Sequence, residues 1–312
     1  MRTALLVIGY NRPEATARLL EALSADEAGL DRVEIHHYLD GGPGADQDGV
    51  VAAIEASEVP YSGLVCRPEN YGIGRHLIGA RRDLFEVKGY DRVLLIEDDV
   101  LPGPRFISTT LALADWAERY DDVGTVQVWN HTTLSEPELI DSMDVVVPTN
   151  GHFFTYCMGK RVWNRIQSIL TYYEEVYLRD VAYAKKDWRG IRKHLIKPIA
   201  KRPRAMIRGT TLDLRGAEIP APFPAKGLPR VVPTSQDGIT ALALWTMGYT
   251  RLATLAPRCR YLGATGAHFV PRDYKRWGFH EQAGFEWAGD PPSGFTLGMD
   301  PTQGAYPHGV YR

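Results

Sequence analysis

The sequence predicts an α/β protein built on a mostly parallel sheet with helices on both faces. Apolar runs typical of buried strands occur in the first half of the chain, at residues 4–8, 33–39, 63–66, 93–96 and 123–129. Helical segments separate these runs, and such alternation is typical of a parallel sheet. The fourth run is apolar without interruption, which indicates a strand covered on both faces. We therefore expect it to lie inside the sheet.

The turns between these runs carry residues that usually end strands and begin helices. Gly9-Tyr-Asn-Arg-Pro13 follows the first strand, and its proline is well placed to open a helix. The second strand leads into the glycine-rich loop 40–44. Pro102 and Pro104 are expected to stop the fourth strand. The predicted helices lie around residues 15–23, 50–56, 76–85 and 106–120.

Composition limits the class of protein and its compartment. The chain has 312 residues, of which 44% are apolar and 24% charged, as in an ordinary soluble globular protein. Its net charge of −2 gives no case for a nucleic-acid-binding protein. Three cysteines form no disulfide framework, the N-terminus does not read as a signal peptide, and no apolar stretch approaches a membrane span. We expect a cytoplasmic protein that works at a membrane only from its surface.

Three consecutive carboxylates, Glu97, Asp98 and Asp99, follow the fourth apolar run. They lie at the carboxyl end of a predicted parallel strand, where open α/β sheets bind their ligands. Adjacent carboxylates repel one another unless a cation lies among them, and oxygen ligands favour Mg²⁺ or Mn²⁺ shared with substrate phosphates. We therefore interpret these acids as a binding site for a metal ion and a diphosphate. The alternative, acids in a solvated turn, explains less well why they follow a buried strand.

Two common nucleotide-binding motifs are absent from the sequence. A dinucleotide-binding domain needs Gly-x-Gly-x-x-Gly after its first strand, where this chain reads Gly9-Tyr-Asn-Arg-Pro-Glu14. Gly72-Ile-Gly74 precedes a helix but lacks the third glycine at the required spacing. The phosphate-binding loop Gly-x4-Gly-Lys-Ser/Thr does not occur. The sequence thus argues against both a nicotinamide-binding domain and a P-loop protein.

Three motifs follow one another in a specific order over residues 3–130. The first is the Arg12-Pro13 turn with a second strand that ends at Asp40, the second is Leu95-Ile-Glu-Asp-Asp-Val-Leu-Pro-Gly-Pro-Arg-Phe106, and the third is Val126-Gln-Val-Trp-Asn130. With these motifs the chain resembles the GT-A nucleotide-sugar glycosyltransferases. Among these enzymes, it resembles the N-acetylglucosaminyltransferase I family most. A later segment, Gly151-His-Phe-Phe-Thr-Tyr156, resembles that family more weakly.

This resemblance implies a GT-A-like fold whose first half binds a nucleoside-diphosphate sugar, with a UDP-sugar favoured. The loop after the first strand, with Tyr10 and Arg12, would read the uracil and ribose side of the donor together with Asp40. Arg75, at the start of a later helix, is a further candidate for donor binding. The residues alone do not name the nucleotide, so the base follows from the resemblance.

The resemblance also divides the acidic triad by role. Asp99 would ligate the cation, Mn²⁺ or Mg²⁺, while Asp98 would lie near the ribose or sugar and Glu97 near a sugar hydroxyl. Cleavage of the sugar–phosphate bond concentrates negative charge on the departing diphosphate, and a metal neutralises that charge as it develops. Many GT-A enzymes supply a late histidine as a second metal ligand, here His268, although the resembled family often lacks it and a lone histidine is more often structural.

An inverting transfer needs a general base that takes the proton from the acceptor hydroxyl. The resemblance places this base as an aspartate far downstream, and the best candidate is Asp237 in Pro233-Thr-Ser-Gln-Asp-Gly238. This segment opens an apolar helix, so Ser235 or Asp237 could equally be an ordinary helix cap. Both interpretations stay open at this point. Retaining transfer also stays open, because both outcomes use the same sheet and metal site.

Residues 184–208 form a strongly basic segment. They contain ten Lys or Arg and one acid, Asp187, so the local charge is ten minus one, or +9, in a chain of net charge −2. Such a segment suits an anionic acceptor or an acidic membrane surface. It is also typical of a solvated, mobile insertion. The resembled family has no counterpart, so the acceptor is not implied by it.

We expect one continuous domain, with a donor-binding half at 1–130, a mixed acceptor-side half at 131–270 and an irregular tail at 271–312. The aromatic residues of the tail suit packing on the body or on a second subunit of a homodimer, or a wall on which sugars stack. Two alternatives are a nucleotidyltransferase and a non-catalytic module that binds sugar nucleotides or glycans. The Gly-rich basic loop of the former is absent after the first strand, and the intact acidic triad argues against the latter.

Overall fold

The computed structural model describes residues 1–132, 134–149, 153–200, 233–264, 271–276, 278–282 and 289–298. The strands within them are β1 Thr3–Gly9, β2 Glu34–Leu39, β3 Gly63–Cys66, β4 Arg92–Glu97, β5 Val100–Pro102, β6 Val123–Gln127, β7 Val145–Pro148, β8 Thr155–Gly159, β9 Thr250–Thr254, β10 Cys259–Tyr261 and β11 Thr296–Leu297.

The helices connect these strands in sequence. They are α1 Pro13–Ser24, α2 Glu27–Leu30, α3 Gln47–Glu55, α4 Gly72–Arg82 with a π-helical extension Asp83–Val87, α5 Phe106–Ala117, α6 Glu136–Asp141, α7 Lys160–Tyr177, α8 Trp188–Gly190, a π-helical stretch Ile191–Ile196, α9 Lys197–Ala200, α10 Gln236–Thr246 and α11 Pro271–Arg276. Short 3-10 turns lie at Tyr183–Lys185 and Phe279–Glu281.

Nine of the strands form one sheet in the order β11-β7-β9-β6-β8-β4-β1-β2-β3. The four strands from β3 to β4 run parallel, as does the pair β6 and β9. Strand β8 lies between β4 and β6 and is antiparallel to both. This arrangement confirms the predicted α/β fold with a mostly parallel sheet and a mixed second half.

The register of the central strands brings three loops to one edge of the sheet. Ile8 of β1 lies beside Glu97 of β4, and Gly9 lies beside Leu39 of β2. The chain segments that leave β1, β2 and β4 therefore start next to one another. In open α/β sheets this carboxyl edge is where ligands bind.

The sheet is covered on both faces because its central strands are apolar on both sides. On one face, Leu6 of β1 and Leu95 of β4 pack with helices α4, α7 and α10. On the other face, Leu5 and Leu94 pack with α1, α3 and α5. These side chains are fully buried, which agrees with the expectation of an interior strand before the acidic triad.

The prediction that two prolines stop the fourth strand is wrong. Strand β4 ends at Glu97, before either proline, and a turn at Asp98 and Asp99 leads the chain out of the sheet. The chain then forms β5, which pairs antiparallel with β10 and includes Pro102. A two-stranded ribbon leaves one edge of each strand unpaired, and proline is tolerated on such edges.

Most of the described part of the basic segment, residues 184–200, is helical, and its apolar side is packed. Ile191, Leu195 and Ile196 are buried in the core, whereas most of the basic side chains are exposed. The interpretation as a loose insertion is therefore wrong for this stretch, because its apolar side anchors it. Residues 201–208 lie outside the described part of the chain.

Two aromatic residues of the predicted tail, Phe279 and Phe295, are buried against the body of the protein. Phe279 contacts the rings of Trp129 and Phe154, and Phe295 contacts that of Trp116. Packing on the body accounts for these two, and a homodimer stays a prediction. Among the residues described, no helix is both long and apolar enough to cross a membrane.

Candidate active site

The guanidinium of Arg12 joins the two aspartates that follow β4. Its Nη2 lies 2.6 Å from Asp98 Oδ1, and its Nη1 lies 3.0 Å from Asp99 Oδ2. Arg12 immediately precedes α1, whose first residue is Pro13, so the turn after β1 aims this side chain at the end of the neighbouring strand. A cation was expected among the acids, and in this structure a side chain of the chain itself supplies one.

Asp98 and Asp99 are buried, and burial is the main influence on the pKa of Asp98. Asp98 is 5% exposed and Asp99 is 9% exposed. Burial raises the pKa of Asp98 to about 7, although the charge of Arg12 acts in the opposite direction. Burial opposes the charged form of Arg12 as well, but Asp98 and Asp99 outweigh it and the pKa of the guanidinium is raised. The two aspartates therefore favour the charged form of Arg12, and Arg12 in turn favours the ionised form of Asp98.

Each aspartate keeps one buried oxygen that Arg12 does not engage. Within the described part of the chain, Asp98 Oδ2 and Asp99 Oδ1 are buried and meet no hydrogen-bond partner. Mg²⁺ is usually held by one or two carboxylates and completed by water and substrate phosphates. The two orphaned oxygens fit such a site. A preformed cage of three or more His, Cys, Asp or Glu ligands is absent from the described residues.

Glu97 differs from the two aspartates in the groups that surround it. It is the last residue of β4, and burial followed by the charges of Asp99, Asp237 and Asp98 raises its pKa well above the usual range. Asp237 comes from α10, which is 140 residues later in the sequence (237 minus 97). The predicted base and the predicted sugar-binding acid are thus close enough for their charges to interact.

Asp237 is not the cap of its helix. Ser235 caps α10 by accepting a hydrogen bond from the Gly238 N–H at 3.2 Å. Burial raises the pKa of Asp237, and the charges of Arg251 and Arg81 counteract this. The capping role therefore belongs to Ser235. Asp237 is a half-buried carboxylate whose charge interacts with those of Arg251 and Arg81.

A hydrogen-bonded network positions Asp237. In the orientation that satisfies both ends of its side-chain amide, Gln236 donates to Asp237 Oδ1 at 2.8 Å and accepts from Arg81 at 2.9 Å. Arg81 is fully buried on α4 and also donates to the hydroxyl of Tyr156 on β8 at 2.8 Å. The Gln236 N–H donates to the hydroxyl of Tyr183 at 2.9 Å. This network fixes the start of α10 against the sheet.

Asp40 organises the loop before α4. Its Oδ1 accepts hydrogen bonds from the N–H groups of Gly41 and Tyr71, and its Oδ2 accepts one from Gly72 N–H. Gly72 has a φ of 66°, a left-handed conformation that suits glycine. Asp40 is 5% exposed, so its carboxylate acts in this structure by holding backbone amides at the start of a helix.

Tyr10, in the loop after β1, and Arg75, in the first turn of α4, lie at the same edge of the sheet. The hydroxyl of Tyr10 donates to the Pro43 carbonyl at 2.6 Å, which joins the loop after β1 to the loop after β2. Arg75 lies over the ring of Tyr71, 4.3 Å from its centre, and 3.9 Å from a carboxylate oxygen of Glu69. Both residues therefore shape the loops in which the donor was expected to bind.

The segment after β10 packs against the acidic turn. Leu262 N–H donates to the Asp99 carbonyl at 2.7 Å, and a Cβ at Gly263 would lie 2.7 Å from Asp99 Oδ2. The ring of Tyr261 stacks on Phe154 with centres 3.8 Å apart. Burial, followed by the negative charges of Asp99 and Glu97, raises the pKa of Tyr261. His268 lies outside the described residues.

Sequence reasoning missed four residues around the acids: Arg81, Tyr156, Arg251 and Tyr261. Arg81 has the sequence context of a surface residue, Ala-Arg-Arg-Asp at the end of a helix. Only its position on the apolar face of the predicted helix could have indicated that Arg81 is buried. The other three lie on strands far from β4 in the sequence, so their place depends on strand order.

A scan against protein-family models and a search of curated proteins both found no match. Solved structures do match. A mannosyltransferase from Pyrobaculum calidifontis in complex with GDP-mannose and Mn²⁺ shares 15% identity over 88% of this chain and 78% of its own, with a TM-score of 0.41.

Two further structures match a smaller part of this chain. A glucosyl-3-phosphoglycerate synthase from Mycobacterium tuberculosis with Mn²⁺ and UDP-glucose shares 13% identity over 55% of this chain and 65% of its own, with a TM-score of 0.34. The galactosyltransferase LgtC in complex with donor and acceptor sugar analogues shares 16% identity over 59% and 67%, with a TM-score of 0.32.

Proposed function

We propose that this protein is a metal-dependent glycosyltransferase that moves a sugar from a nucleoside diphosphate, with UDP favoured, to an acceptor hydroxyl with inversion. One observation carries the proposal. Asp98 and Asp99 lie at the carboxyl edge of the central strand, each with one buried oxygen that has no hydrogen-bond partner among the described residues. A separate, half-buried carboxylate, Asp237, lies close enough to Glu97 for their charges to interact. One pair of carboxylates suits a cation, and the separate one suits proton transfer.

Asp99 and Asp98 are the residues that would hold Mn²⁺ or Mg²⁺, through the oxygens that Arg12 leaves free. When bound, the ion supplies positive charge that offsets the charge of the departing diphosphate. Arg12 contributes a second positive charge at the same place. The side chain of Arg12 is 34% exposed, so part of it remains accessible to a phosphate.

Asp237 is the proposed general base. A carboxylate whose pKa is raised by burial is a stronger base than one in water, and it needs to be ionised before the acceptor hydroxyl arrives. Arg81 and Arg251 favour the ionised form, while the hydrogen bond from Gln236 orients the carboxylate. A carboxylate oxygen of Asp237 would take the proton of the acceptor hydroxyl as the hydroxyl oxygen attacks the sugar carbon.

The loops with Tyr10 and Asp40, together with Arg75 at the start of α4, are the proposed binding site of the nucleoside. Tyr10 and Asp40 hold the backbone of these loops, so they support the binding site by shaping it as well as by direct contact. Arg75 offers a cation over Tyr71 at the start of α4. Glu97 is the proposed partner of a sugar hydroxyl between this binding site and Asp237.

Thermal shift with UDP, GDP and dTDP, each with and without MnCl₂, tests the donor site. A ligand at about 100 times its dissociation constant adds ~2.7 kcal/mol to the free energy of unfolding. We expect one diphosphate to stabilise the protein only with Mn²⁺, and Asp99→Asn to abolish the effect. Stabilisation of the variant equal to that of wild type would make Asp99 a structural residue.

A transfer or donor-hydrolysis assay tests the chemistry. Asp237→Asn is expected to keep Mn²⁺-dependent nucleotide binding and to lose turnover by a factor of at least 100. Binding without turnover of any sugar nucleotide by wild type would favour a non-catalytic binding module. Release of diphosphate from a nucleoside triphosphate and a sugar phosphate would favour a nucleotidyltransferase instead. Product anomer determination by NMR distinguishes inversion from retention.

A further inference from the structure

Exposed cations lie on the helical segment 188–200 and on the short turn before it. We call these residues the basic surface: Lys185, Arg189, Arg192, Lys193 and Lys197. Positions 189, 193 and 197 are spaced by four residues and therefore lie on one side of the helix. Ile191 and Leu195 point the opposite way and are buried in the core. The core contacts fix the orientation of the helix, so its basic side is held toward solvent.

Among the described residues, these cations have no acidic partners. Within the part of the chain that the structure describes, no Asp or Glu oxygen lies within ion-pair distance of the basic surface. The one acid of the segment, Asp187, uses its carboxylate to accept the Gly190 N–H at 2.9 Å and thus caps the helix. Elsewhere in the first half, cations such as Arg2, Arg32 and Arg92 do pair with carboxylates. The basic surface is therefore a local excess of positive charge.

Exposed apolar side chains accompany the basic surface. Nine large apolar side chains are recorded as exposed among the described residues, and four of them fall within residues 172–188: Tyr172, Val176, Val181 and Trp188. Trp188 is 50% exposed, and the guanidinium carbons of Arg189 and Arg192 lie 5.0 and 5.6 Å from the centre of its ring. Tyr172 and Val176 are one helical turn apart on α7.

We propose that the basic surface, with Trp188, is a docking site for a membrane that contains anionic lipids. Lys and Arg near such a membrane are attracted by its surface potential, and exposed tryptophan favours the interface between headgroups and acyl chains. A soluble polyanion would use the cations but would leave the exposed valines and Tyr172 without a function. The combination of charge with exposed apolar side chains therefore favours a lipid surface over a nucleic acid or an acidic glycan.

The basic surface is connected to the candidate active site through Tyr183. This residue lies just before the helical segment, and its hydroxyl accepts the Gln236 N–H next to Asp237. A Cβ at Gly72 or Gly74 of α4 would touch the side chain of Tyr183, so the residue is closely packed. The segment with the basic surface is therefore linked through Tyr183 to the residue that precedes Asp237.

Co-sedimentation of the full chain with lipid vesicles tests the proposal without any sugar nucleotide. Vesicles of phosphatidylcholine with 30% phosphatidylglycerol are compared with vesicles of phosphatidylcholine alone. We expect binding to the anionic vesicles only, and loss of most of it at high salt because exposed charges are screened. Equal binding to both vesicles, or no binding to either, would overturn the proposal.

The triple variant Arg189→Gln, Arg192→Gln, Lys193→Gln is expected to weaken partitioning about 100-fold, which corresponds to roughly fivefold for each cation removed. The matched control changes three exposed cations elsewhere, Arg18→Gln, Arg32→Gln, Arg119→Gln, and is expected to bind within a few-fold of wild type. Trp188→Ser is expected to lower binding several-fold at constant charge.

Equal losses of vesicle binding in the triple variant and its control would show that binding depends only on net charge. This result would overturn the basic surface as a docking site. Stronger retention on heparin or RNA than on anionic vesicles, with Trp188→Ser unchanged, would assign the surface to a soluble polyanion instead. Because the assay contains neither donor nor metal, its result is independent of the proposed sugar transfer.

Discussion

The guanidinium of Arg12 lies 2.6 Å from Asp98 Oδ1, although 86 positions (98 minus 12) separate the two residues in the chain. This pair, with Asp99 beside it, places a permanent positive charge at the end of the central strand. A divalent cation that bound the free oxygens of the same aspartates would share them with Arg12. The first prediction follows from that sharing.

Arg12→Gln removes the cation from between two buried carboxylates. We expect a loss of roughly 1–3 kcal/mol in the free energy of unfolding in metal-free buffer, which lies between the values for exposed and buried ion pairs. Mn²⁺ should then stabilise the variant more than it stabilises wild type, because the ion replaces the missing charge. Thermal denaturation with EDTA or MnCl₂ measures both effects, with Arg18→Gln on α1 as control. Equal Mn²⁺ stabilisation of all three proteins would mean that Arg12 and the ion do not share a site.

Glu97→Gln should stabilise the metal-free protein at pH 8. Burial and the neighbouring carboxylates raise the pKa of Glu97, so the folded state binds its proton more tightly than the unfolded state. The unfolded state has lost that proton above about pH 4.5, and the resulting cost grows as pH rises. Urea denaturation should show a gain in the free energy of unfolding at pH 8 that disappears near pH 4. The exposed Glu21→Gln is the control, and a gain equal at both pH values would contradict the assignment.

Arg81 should act as a positioning residue for Asp237. Its charge opposes the effect of burial on the pKa of Asp237, so Arg81→Met is expected to raise that pKa further. The acid limb of the turnover profile should then move to higher pH, because a base must be ionised to act. Stability should also fall by about 3–5 kcal/mol, since the hydrogen bonds to Tyr156 and Gln236 are lost from a buried site.

Arg81→Lys keeps the charge and is expected to restore most of the pH profile with a smaller loss of stability. If Arg81→Met lowers only stability and leaves the acid limb in place, the residue serves packing and does not tune Asp237.

Gly263→Ala should disturb the acidic turn. The added Cβ would meet the hydroxyl of Tyr261 and would lie 2.7 Å from Asp99 Oδ2. We expect a loss of about 1–3 kcal/mol in stability and a weaker effect of Mn²⁺ on the melting temperature. Gly294→Ala is the matched control, because a Cβ there meets no atom within 4 Å. A normal response to Mn²⁺ in Gly263→Ala would show that this segment does not constrain Asp99.

His37 should make the protein sensitive to acid. It is 1% exposed on β2, and burial followed by the charge of His36 lowers its pKa to about 4. Between pH 6.5 and 4 the unfolded chain binds the proton and the folded chain does not, so stability falls as pH falls. The pKa of His37 differs by roughly 2.5 between the unfolded and folded chains, which lowers the free energy of unfolding by about 3 kcal/mol at pH 4. In urea denaturation, the stability of His37→Leu relative to wild type should therefore rise by that amount between pH 7.5 and pH 4. A difference in stability that does not change with pH would contradict this prediction.

Strand runs, the acidic triad and the start of α1 were predictable because they depend on neighbouring residues. Residues 93–96 indicated an interior strand, and Val93 to Ile96 are all buried in β4. The cap at Ser235 was one of two alternatives in the sequence, and local backbone geometry decided between them. Such features depend on side chains within a few positions of one another.

The sequence by itself determined that the fold is α/β, that an apolar strand ends in three acids, and that a late aspartate opens a helix. Tertiary structure alone decided that Arg12 supplies the cation between Asp98 and Asp99, and that Arg81 and Gln236 hold Asp237. The physical reason is strand order. Strand β8 is inserted between β4 and β6 with the opposite direction, which brings Tyr156 against Arg81 across 75 positions. Local sequence patterns carry no information about that insertion, because its stability comes from contacts between distant segments.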